Sequence, residues 1–206
     1  MNIPYFVRIL ACNAVLATAV HAEAPAAPAV VPAGATTAIF AGGCFWCVEK
    51  DFEKLPGVIE VESGYTAGRT PNPSYEQVSA GGTGHVEAVR VIYDPRKVSY
   101  PQLLDYFWRH IDPTVKDRQF CDVGTQYRSG IYWQNDTERQ AAEASRDALL
   151  KSGKFKTIHT ELAPATTFWL AETYHQDYYK KNPIRYSYYR KSCGRDARVE
   201  EVWAGK

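Results

Sequence analysis

Apolar and polar positions recur with two different periods along the chain, and these periods predict short strands and helices. Apolar runs and alternating apolar positions, bounded by glycine and proline, are typical of strands. They predict strands over residues 39–41, 58–65, 85–93, 128–133 and 157–162. Apolar spacings of three and four residues, with serine or asparagine at the start, are typical of helices. They predict helices over residues 44–55, 74–78, 99–111, 136–152 and 171–181.

The order of these elements predicts the fold class. Strands and helices intermix without the regular alternation of a parallel, doubly wound sheet. We therefore expect an α+β fold, a two-layer α/β sandwich with a central mixed, largely antiparallel sheet. Pro183 is expected to end the last helix, and a coil-rich C-terminal tail follows it.

The first residues, 1–22, have the pattern of a secretory signal peptide. Arg8 is the only charge among the first twenty residues, and 9–20 is almost wholly small or apolar. Small residues then stand where a signal peptidase would cut, after Ala22. We therefore expect an exported protein, periplasmic or secreted, without stable insertion in a membrane. The alternative is a lipid attachment at Cys12. No apolar segment of useful length separates Cys12 from Arg8, and this argues against the alternative.

The remaining chain divides into a linker and one domain. Residues 23–37 are rich in alanine and proline and predict an extended, disordered linker. Residues 38–206 suit a single catalytic domain that is large enough to bury its own core. The formal net charge is +1, so we expect no nucleic-acid partner.

Four cysteines remain after signal cleavage: Cys44, Cys47, Cys121 and Cys193. The tight Gly42-Gly43 turn places Cys44 at a helix start, where backbone N–H groups and the macrodipole favour a thiolate. The Cys-x-x-Cys spacing alone is compatible with a redox pair, a buried pair or half of a zinc site. An oxidising compartment favours structural disulfides. A domain of this size does not need them, however, so we favour a redox role for at least one pair.

Six motifs follow one another through the domain. They are Gly43-Cys44-Phe45-Trp46-Cys47, Gly64-Tyr65-Thr66-Ala67-Gly68, Pro71-Asn72-Pro73-Ser74-Tyr75, Gly84-His85-Val86-Glu87-Ala88-Val89, Asp122-Val123-Gly124-Thr125-Gln126-Tyr127-Arg128-Ser129 and Ala171-Glu172-Thr173-Tyr174-His175-Gln176-Asp177-Tyr178. In sequence and order they resemble the peptide methionine sulfoxide reductase A family, in the subtype with Gly-Cys-Phe-Trp-Cys. Six motifs in family order make the resemblance highly specific.

The resemblance implies reduction of the S epimer of methionine sulfoxide, free or in a polypeptide, to methionine. A sulfoxide sulfur is electrophilic, so the site needs a thiolate, an acid and donors aimed at the oxygen. Cys44 matches the family's nucleophile and Glu87 its general acid. Burial in an apolar strand would raise the pKa of Glu87 and keep its proton available. Tyr75 and Tyr127 match the phenols that donate to the oxygen, and Asp122 matches a family aspartate.

Aromatic side chains beside the nucleophile are expected to bind the substrate. Phe45 and Trp46 would line an apolar slot for the methyl group on sulfur, and such a slot selects one epimer. His85 and His175 are expected to be structural, or to hydrogen-bond the site residues, because the reaction needs no further base.

A second cysteine must close the catalytic cycle, because attack by Cys44 leaves a sulfenic acid. Many family members carry this cysteine in the C-terminal tail, where this chain has Ser187. We therefore predict that Cys47, one helical turn from Cys44, is the resolving cysteine. Cys121 and Cys193 are then a second relay pair or a structural disulfide. A thioredoxin-like reductant is expected to restore the thiols, and no bound cofactor is implied.

Two other functions remain open from the sequence. A thioredoxin-like thiol-disulfide oxidoreductase would use Cys44 and Cys47 but would leave Tyr75 and Glu87 without a role. A zinc-stabilised binding module would use all four cysteines, although zinc modules usually supply their ligands as two close pairs.

Overall fold

The computed structural model describes residues 25–204. Its centre is a six-stranded sheet in the order β7-β6-β1-β3-β2-β8, in which only the β6–β7 pair is parallel. The strands of this sheet are β1 (Thr36–Gly42), β2 (Val58–Thr66), β3 (Val86–Tyr93), β6 (Ser129–Trp133), β7 (Glu161–Pro164) and β8 (Trp169–Leu170). Two short strands, β4 (Arg118–Gln119) and β5 (Asp122–Val123), pair apart from it. The prediction of a mixed, largely antiparallel sheet is confirmed.

The helices pack mainly on one face of this sheet. They are α1 (Phe45–Glu53), α2 (Tyr75–Ala80), α3 (Tyr100–Trp108), α4 (Asp136–Lys151), α5 (Tyr178–Lys181), α6 (Pro183–Ser192) and α7 (Arg195–Trp203), with a 3₁₀ turn at Thr125–Tyr127. Phe40 of β1 faces this layer and stacks on Phe52 and Phe107, at ring distances of 5.0 and 5.1 Å. Its neighbours Ile39 and Ala41 face the other side, against loop residues such as Phe168. The period of two along β1 thus produces the predicted two-layer sandwich.

The segment before Tyr178 is not the helix that its pattern predicts. Only Tyr178–Lys181 of the expected 171–181 helix is helical. The N–H of Ala171 donates to the carbonyl of Ser63, and the buried carboxylate of Glu172 accepts the hydroxyl of Tyr65. These bonds to the sheet take the place of helical ones, because a buried backbone must satisfy its polar groups somewhere.

The C-terminal tail is also different from its prediction. The expected coil after Pro183 is wrong, because α6 and α7 occupy most of this region. Pro183 lies in the first turn of α6, where its missing N–H removes no helical bond. Gly194, with a positive φ of 69°, separates the two helices. The guanidinium of Arg195 is buried and donates to the carbonyl of Gly42, which ties α7 to the end of β1.

Two alanines shortly before β1, Ala26 and Ala29, lie against the edge of the sheet. The N–H of Ala26 donates to the carbonyl of Ala171, and that of Ala29 donates to Glu62 Oε1 at 2.6 Å. The predicted signal peptide and the first two residues of the predicted linker lie outside the described residues. Within the range 25–204, no helix is long and apolar enough to cross a membrane.

Candidate active site

A glycine turn delivers Cys44 to the start of α1, as the sequence predicts. Gly43 has a positive φ of 82°, and a Cβ at this position would lie 2.6 Å from Cβ of Gln119. Only glycine satisfies both the turn and this close approach. Cys44 is the N-cap residue of α1, and its carbonyl accepts the N–H groups of Cys47 and Val48. The turn therefore fixes the place of the first thiol.

The thiol of Cys44 is buried, with 6% of the residue exposed. Burial raises the pKa of Cys44 well above its ordinary value, and the contact with Cys47 and the charges of Glu87 and Asp122 add to the rise. This rise in the pKa of Cys44 is opposite to the lowering that a helix N-terminus favours. Desolvation outweighs the helix dipole here because the thiol is buried beside the carboxyl groups of Glu87 and Asp122.

Cys47 lies one turn further along α1 and is also buried. The hydrogen bond with Cys44 lowers the pKa of Cys47 to about 7, and the charges of Arg195 and Arg190 and the hydroxyl of Tyr186 act in the same direction. Both thiols are free. The resting site therefore places the more acidic thiol at Cys47 rather than at Cys44.

Glu87 faces the helical layer from β3, while its neighbours Val86 and Ala88 face the other side of the sheet. Its carboxyl is buried and accepts the N–H of Phe45 at 3.0 Å. Burial raises the pKa of Glu87 to about 8. The carboxyl group therefore holds its proton at neutral pH, a few ångströms from the first turn of α1.

These groups enclose a cavity of about 70 Å³. It is lined by Cys44, Phe45, Trp46, Tyr75, Glu87, Asp122, Tyr127 and Tyr189. Seven of these residues are predicted site residues, brought together from α1, α2, β3, β5 and the 3₁₀ turn. Tyr75 begins α2, whose capping box at Ser74 fixes the start of that helix. Burial and the nearby charge of Glu87 raise the pKa of both phenols, Tyr75 and Tyr127, so their hydroxyls are donors.

The aromatic wall of the cavity is held by His175. Trp46 donates its Nε1–H to Nδ1 of His175 at 3.0 Å and stacks on Tyr178, with ring centroids 3.7 Å apart. His175 also lies against Phe45 and Tyr75, with ring centroids at 4.9 and 4.5 Å. Burial lowers the pKa of His175 to about 4, so the ring is neutral and positions the wall.

His85 lies outside the cavity. Its Nδ1 accepts the N–H of Gly68 and its Nε2 contacts the carbonyl of Thr70 at 2.7 Å. Both contacts are to backbone groups of the loop that follows β2. His85 is therefore a structural residue of that loop.

Tyr189 is the site residue that the sequence did not predict. It projects from α6, in the region predicted to be coil, and its hydroxyl donates to Asp122 Oδ2 at 2.7 Å. Its ring meets Trp46 edge-on. Tyr186 and Tyr189 are three residues apart, a spacing that places two side chains on one face of a helix. The tail was predicted to be coil, so this spacing was not read as a helix face.

Cys121 and Cys193 form a disulfide outside the cavity, with Cα atoms 5.0 Å apart. The four cysteines therefore form two separate pairs, and the single zinc site of four thiolates is not built. Both thiols of the Cys44–Cys47 pair are buried, so in this conformation neither is accessible to the disulfide of another protein. The arrangement thus fits chemistry on a small group that enters the cavity.

The thiol of Cys44, a carboxyl group that holds its proton and two phenols line one small cavity with an aromatic wall, and the second thiol lies one helical turn behind Cys44. Together with the mixed sheet, this site defines a thiol-dependent oxidoreductase. A sequence model of the family described as peptide methionine sulfoxide reductase matches residues 36–206. The chain belongs to this family, and its reaction is the reduction of methionine sulfoxide to methionine.

Relatives and solved structures agree with this assignment. The chain is 50% identical over 179 residues to peptide methionine sulfoxide reductase MsrA 2 of Caulobacter vibrioides, covering 87% of this chain and 91% of that protein. It is 48% identical over 170 residues to MsrA of Bacillus subtilis, covering 82% of this chain and 96% of that one. It is also 50% identical over 167 residues to the longer peptide methionine sulfoxide reductase MsrA/MsrB of Vibrio cholerae, and the match covers 44% of that protein.

Two solved structures share the fold. Methionine sulfoxide reductase A of Corynebacterium diphtheriae superposes with a TM-score of 0.70 at 36% identity, over 74% of this chain and 77% of that chain. Mxr1 of Saccharomyces cerevisiae in its reduced form superposes with a TM-score of 0.70 at 32% identity, over 74% of this chain and 88% of that chain.

Proposed function

We propose that the chain reduces the S epimer of methionine sulfoxide, free or in oxidised proteins and peptides, with Cys44 as nucleophile and Glu87 as general acid. The cavity carries this proposal. It brings a thiol, a carboxyl group with a pKa of about 8 and two phenols to the walls of one space of about 70 Å³. The thioether end of a methionine sulfoxide is a small group with one polar oxygen, which suits such a space.

In the first step, the sulfur of Cys44 attacks the sulfur of the sulfoxide. Glu87 gives its proton to the sulfoxide oxygen, and Tyr75 and Tyr127 donate hydrogen bonds to it. The oxygen passes to Cys44 as a sulfenic acid, and methionine leaves as a thioether. The substrate sulfur gains two electrons and Cys44 loses two, so the step is balanced without a cofactor.

The lining of the cavity supports a preference for one epimer. It includes the apolar rings of Phe45 and Trp46, which would contact the methyl group, and the polar groups of Glu87 and the two phenols, which would bond the oxygen. A sulfoxide of the opposite hand would place its oxygen against the aromatic rings. Its oxygen would then lose its hydrogen bonds, which is costly in a buried site.

In the second step, the thiolate of Cys47 attacks the sulfur of the sulfenic acid at Cys44. The S–O bond breaks, the oxygen leaves as water after taking a proton, and a Cys44–Cys47 disulfide forms. The position of Cys47 one turn away and its pKa of about 7 support this role. Cys121 and Cys193 are already bonded to each other and offer no free thiol for this step.

A dithiol protein must then reduce the Cys44–Cys47 bond. Mxr1, whose reduced form is similar to this chain, has also been solved in complex with Trx2. We infer a thioredoxin-like reductant for this chain as well. The burial of both thiols implies that the disulfide becomes accessible only when the covering residues of α6 move.

We also infer that the protein is exported, with cleavage after Ala22. The charge and apolar pattern of residues 1–22 supports this proposal. Export would place the enzyme beside oxidised proteins outside the cytoplasm, where the Cys121–Cys193 disulfide is stable.

One experiment tests the reaction and the resolving cysteine together. The protein with reduced Cys44 and Cys47 is mixed with one equivalent of enantiopure N-acetylmethionine S-sulfoxide, and disulfides are mapped by mass spectrometry. We expect one equivalent of the thioether, a new Cys44–Cys47 bond and an unchanged Cys121–Cys193 bond. The R sulfoxide and the Cys44→Ser variant are controls that should give no thioether.

The Cys47→Ser variant separates the two steps. It should complete one turnover and stop at a sulfenic acid that dimedone traps at Cys44. A first product with Cys44 bonded to Cys121 or Cys193, with native turnover in Cys47→Ser, would reject Cys47 as the resolving residue. Equal thioether from both epimers would reject the proposed selectivity.

A further inference from the structure

Glu49 is a fully buried carboxyl group on α1 that the proposed reaction does not use. It lies on the helix that Cys44 begins, and it does not line the cavity. Its Oε2 accepts the hydroxyl of Ser63 on β2 at 2.5 Å, and its Oε1 accepts the backbone N–H of Asp177 at 2.6 Å. The carboxyl group therefore connects α1 both to the sheet and to the segment before α5.

Asp177 is the point at which that segment turns. Its φ of 54° and ψ of 31° lie in the left-handed region, which residues other than glycine rarely adopt. The turn separates His175 from Tyr178, the first residue of α5. A backbone conformation that is unfavourable by itself has to be held by its surroundings, and the bond to Glu49 holds the N–H of this residue.

The turn at Asp177 carries two rings that contact Trp46. His175, before the turn, accepts the Nε1–H of Trp46 at 3.0 Å. Tyr178, after the turn, stacks on the indole, with ring centroids 3.7 Å apart and the ring planes 6° apart. Trp46 in turn lines the cavity. A displacement of the turn would therefore move both rings away from this wall.

Ser63 connects the same segment to the sheet. Its N–H donates to Oε1 of Gln176 at 2.9 Å, and its carbonyl accepts Nε2–H of Gln176 at 2.9 Å. These two bonds attach the segment to β2 but not to α1. The bond from Asp177 to Glu49 thus attaches the turn to the helix that carries the nucleophile and Trp46.

We propose that Glu49 is a positioning residue of the substrate site. It fixes the turn at Asp177 and so holds His175 and Tyr178 against Trp46, the ring that would contact the methyl group of the sulfoxide. Glu49 itself touches neither the substrate nor the reacting sulfur atoms, and it exchanges no proton with them. The inference rests on the proposed function in one respect, that Trp46 binds the substrate.

Two substitutions of Glu49 separate its hydrogen bonds from the rest of the packing. Glu49→Ala removes both bonds. Burial raises the pKa of Glu49 to about 8, so the group is mostly uncharged at pH 7. Glu49→Gln matches its shape and charge at that pH, and its amide can bond both Ser63 and the N–H of Asp177. Glu53→Ala is the matched control, because Glu53 bonds Tyr179 and Lys180 from the next turn of α1.

The first measurement is near-ultraviolet circular dichroism of the mature protein at pH 7. Tyr178→Leu removes the ring that stacks on Trp46, so its difference spectrum from the wild type defines the signal of this stack. Glu49→Ala should lose the same signal, whereas Glu49→Gln and Glu53→Ala should retain it. This readout needs no sulfoxide, so it tests the positioning whether or not the proposed reaction is correct.

The second measurement is a single turnover of the protein with reduced Cys44 and Cys47, without a reductant, at increasing concentrations of N-acetylmethionine S-sulfoxide. Glu49→Ala should raise the half-saturating concentration about two- to tenfold, the range expected for the loss of one aromatic contact. The maximal rate should change little, because Cys44 and Glu87 stay in place. Glu49→Gln should restore the wild-type value, and Glu53→Ala should match it.

The outcomes that would overturn the proposal are distinct from those that reject the reaction. A wild-type half-saturating concentration or stack signal in folded Glu49→Ala would overturn it, as would an equal effect of Glu49→Gln or Glu53→Ala. If urea denaturation shows that Glu49→Ala does not fold, Ser63→Ala decides. This change removes one bond of the carboxyl group and should give smaller changes of the same sign in both measurements. The absence of both changes would overturn the proposal. A wild type that releases no thioether would reject the reaction alone.

Discussion

Burial, rather than residue type, decides what each carboxyl group of this protein can do. Glu87 and Glu49 are both buried, and burial raises the pKa of each to about 8. The carboxyl of Glu49 is occupied by the hydroxyl of Ser63 and the N–H of Asp177, and it does not line the cavity. A pKa of about 8 is therefore shared by both groups, and the cavity distinguishes Glu87, which lines it, as the proposed general acid.

The role of Glu87 predicts both a rate effect and a pH dependence. A general acid must be protonated, and the folded pKa of about 8 keeps Glu87 protonated below that pH. The single-turnover rate of sulfoxide reduction should therefore fall as pH rises through about 8. Glu87→Gln should lower this rate at pH 7 by about 10²–10⁴-fold and should remove the decline above pH 8.

Stopped-flow measurement of thioether release between pH 6 and 9.5, a range chosen to span about one to two units around that pKa, checks this expectation. Glu60→Gln, an exposed position on the neighbouring strand, is the matched control and should behave as the wild type. A loss of less than tenfold in Glu87→Gln would argue against Glu87 as the acid.

At the scale of elements, the Cys121–Cys193 disulfide joins the end of α6 to β5. The bond closes a sequence separation of 72 residues. A link of this length restricts the unfolded chain strongly, whatever its other roles. In the folded protein it fixes the end of α6, whose Tyr186 is buried in one cluster with Cys44 and Cys47.

Removing this disulfide should therefore destabilise the protein. The Cys121→Ser/Cys193→Ser variant should lose about 2–4 kcal/mol of the free energy of unfolding, measured by urea denaturation. Dithiothreitol should bring the wild type to the same value and should leave the variant unchanged. Equal stability of the variant and the oxidised wild type would show that the bond has no structural role.

At the scale of the whole molecule, the sequence predicts an export signal before the reductase domain. Ala26 and Ala29 of the predicted linker lie on the domain, where they hydrogen-bond to Ala171 and Glu62. Part of the predicted linker thus contacts the edge of the sheet instead of extending from it.

The exported protein should begin at Glu23. N-terminal sequencing of protein recovered outside the cytoplasm checks this, because signal peptidase would cut after Ala22. Deletion of residues 2–22 should leave the protein in the cytoplasm with its sulfoxide reduction intact. A mature chain that begins at a lipid-modified Cys12 would contradict the prediction.

The sequence by itself determined the parts of this protein that are encoded locally. Short apolar runs predicted β1 and β3, and the two glycines before Cys44 set the turn. Ser74 caps its helix as predicted, and Asn135, one of two neighbouring polar residues that could cap the next helix, is the one that does so. The family motifs then identified seven of the eight residues that line the cavity. Period, turn and cap act over a few residues, so they can be read without the rest of the chain.

Only the tertiary structure decided the features that depend on distant contacts. The 171–177 segment is not helical because its polar groups hydrogen-bond to β2. The tail is helical, and Arg195 of α7 donates to the carbonyl of Gly42, 153 residues away. Distant contacts also determine the pairing of Cys121 with Cys193, the rise in the pKa of Cys44 and the position of Tyr189. Each depends on which groups are brought together in the dry interior, where desolvation outweighs the local preference of the helix end.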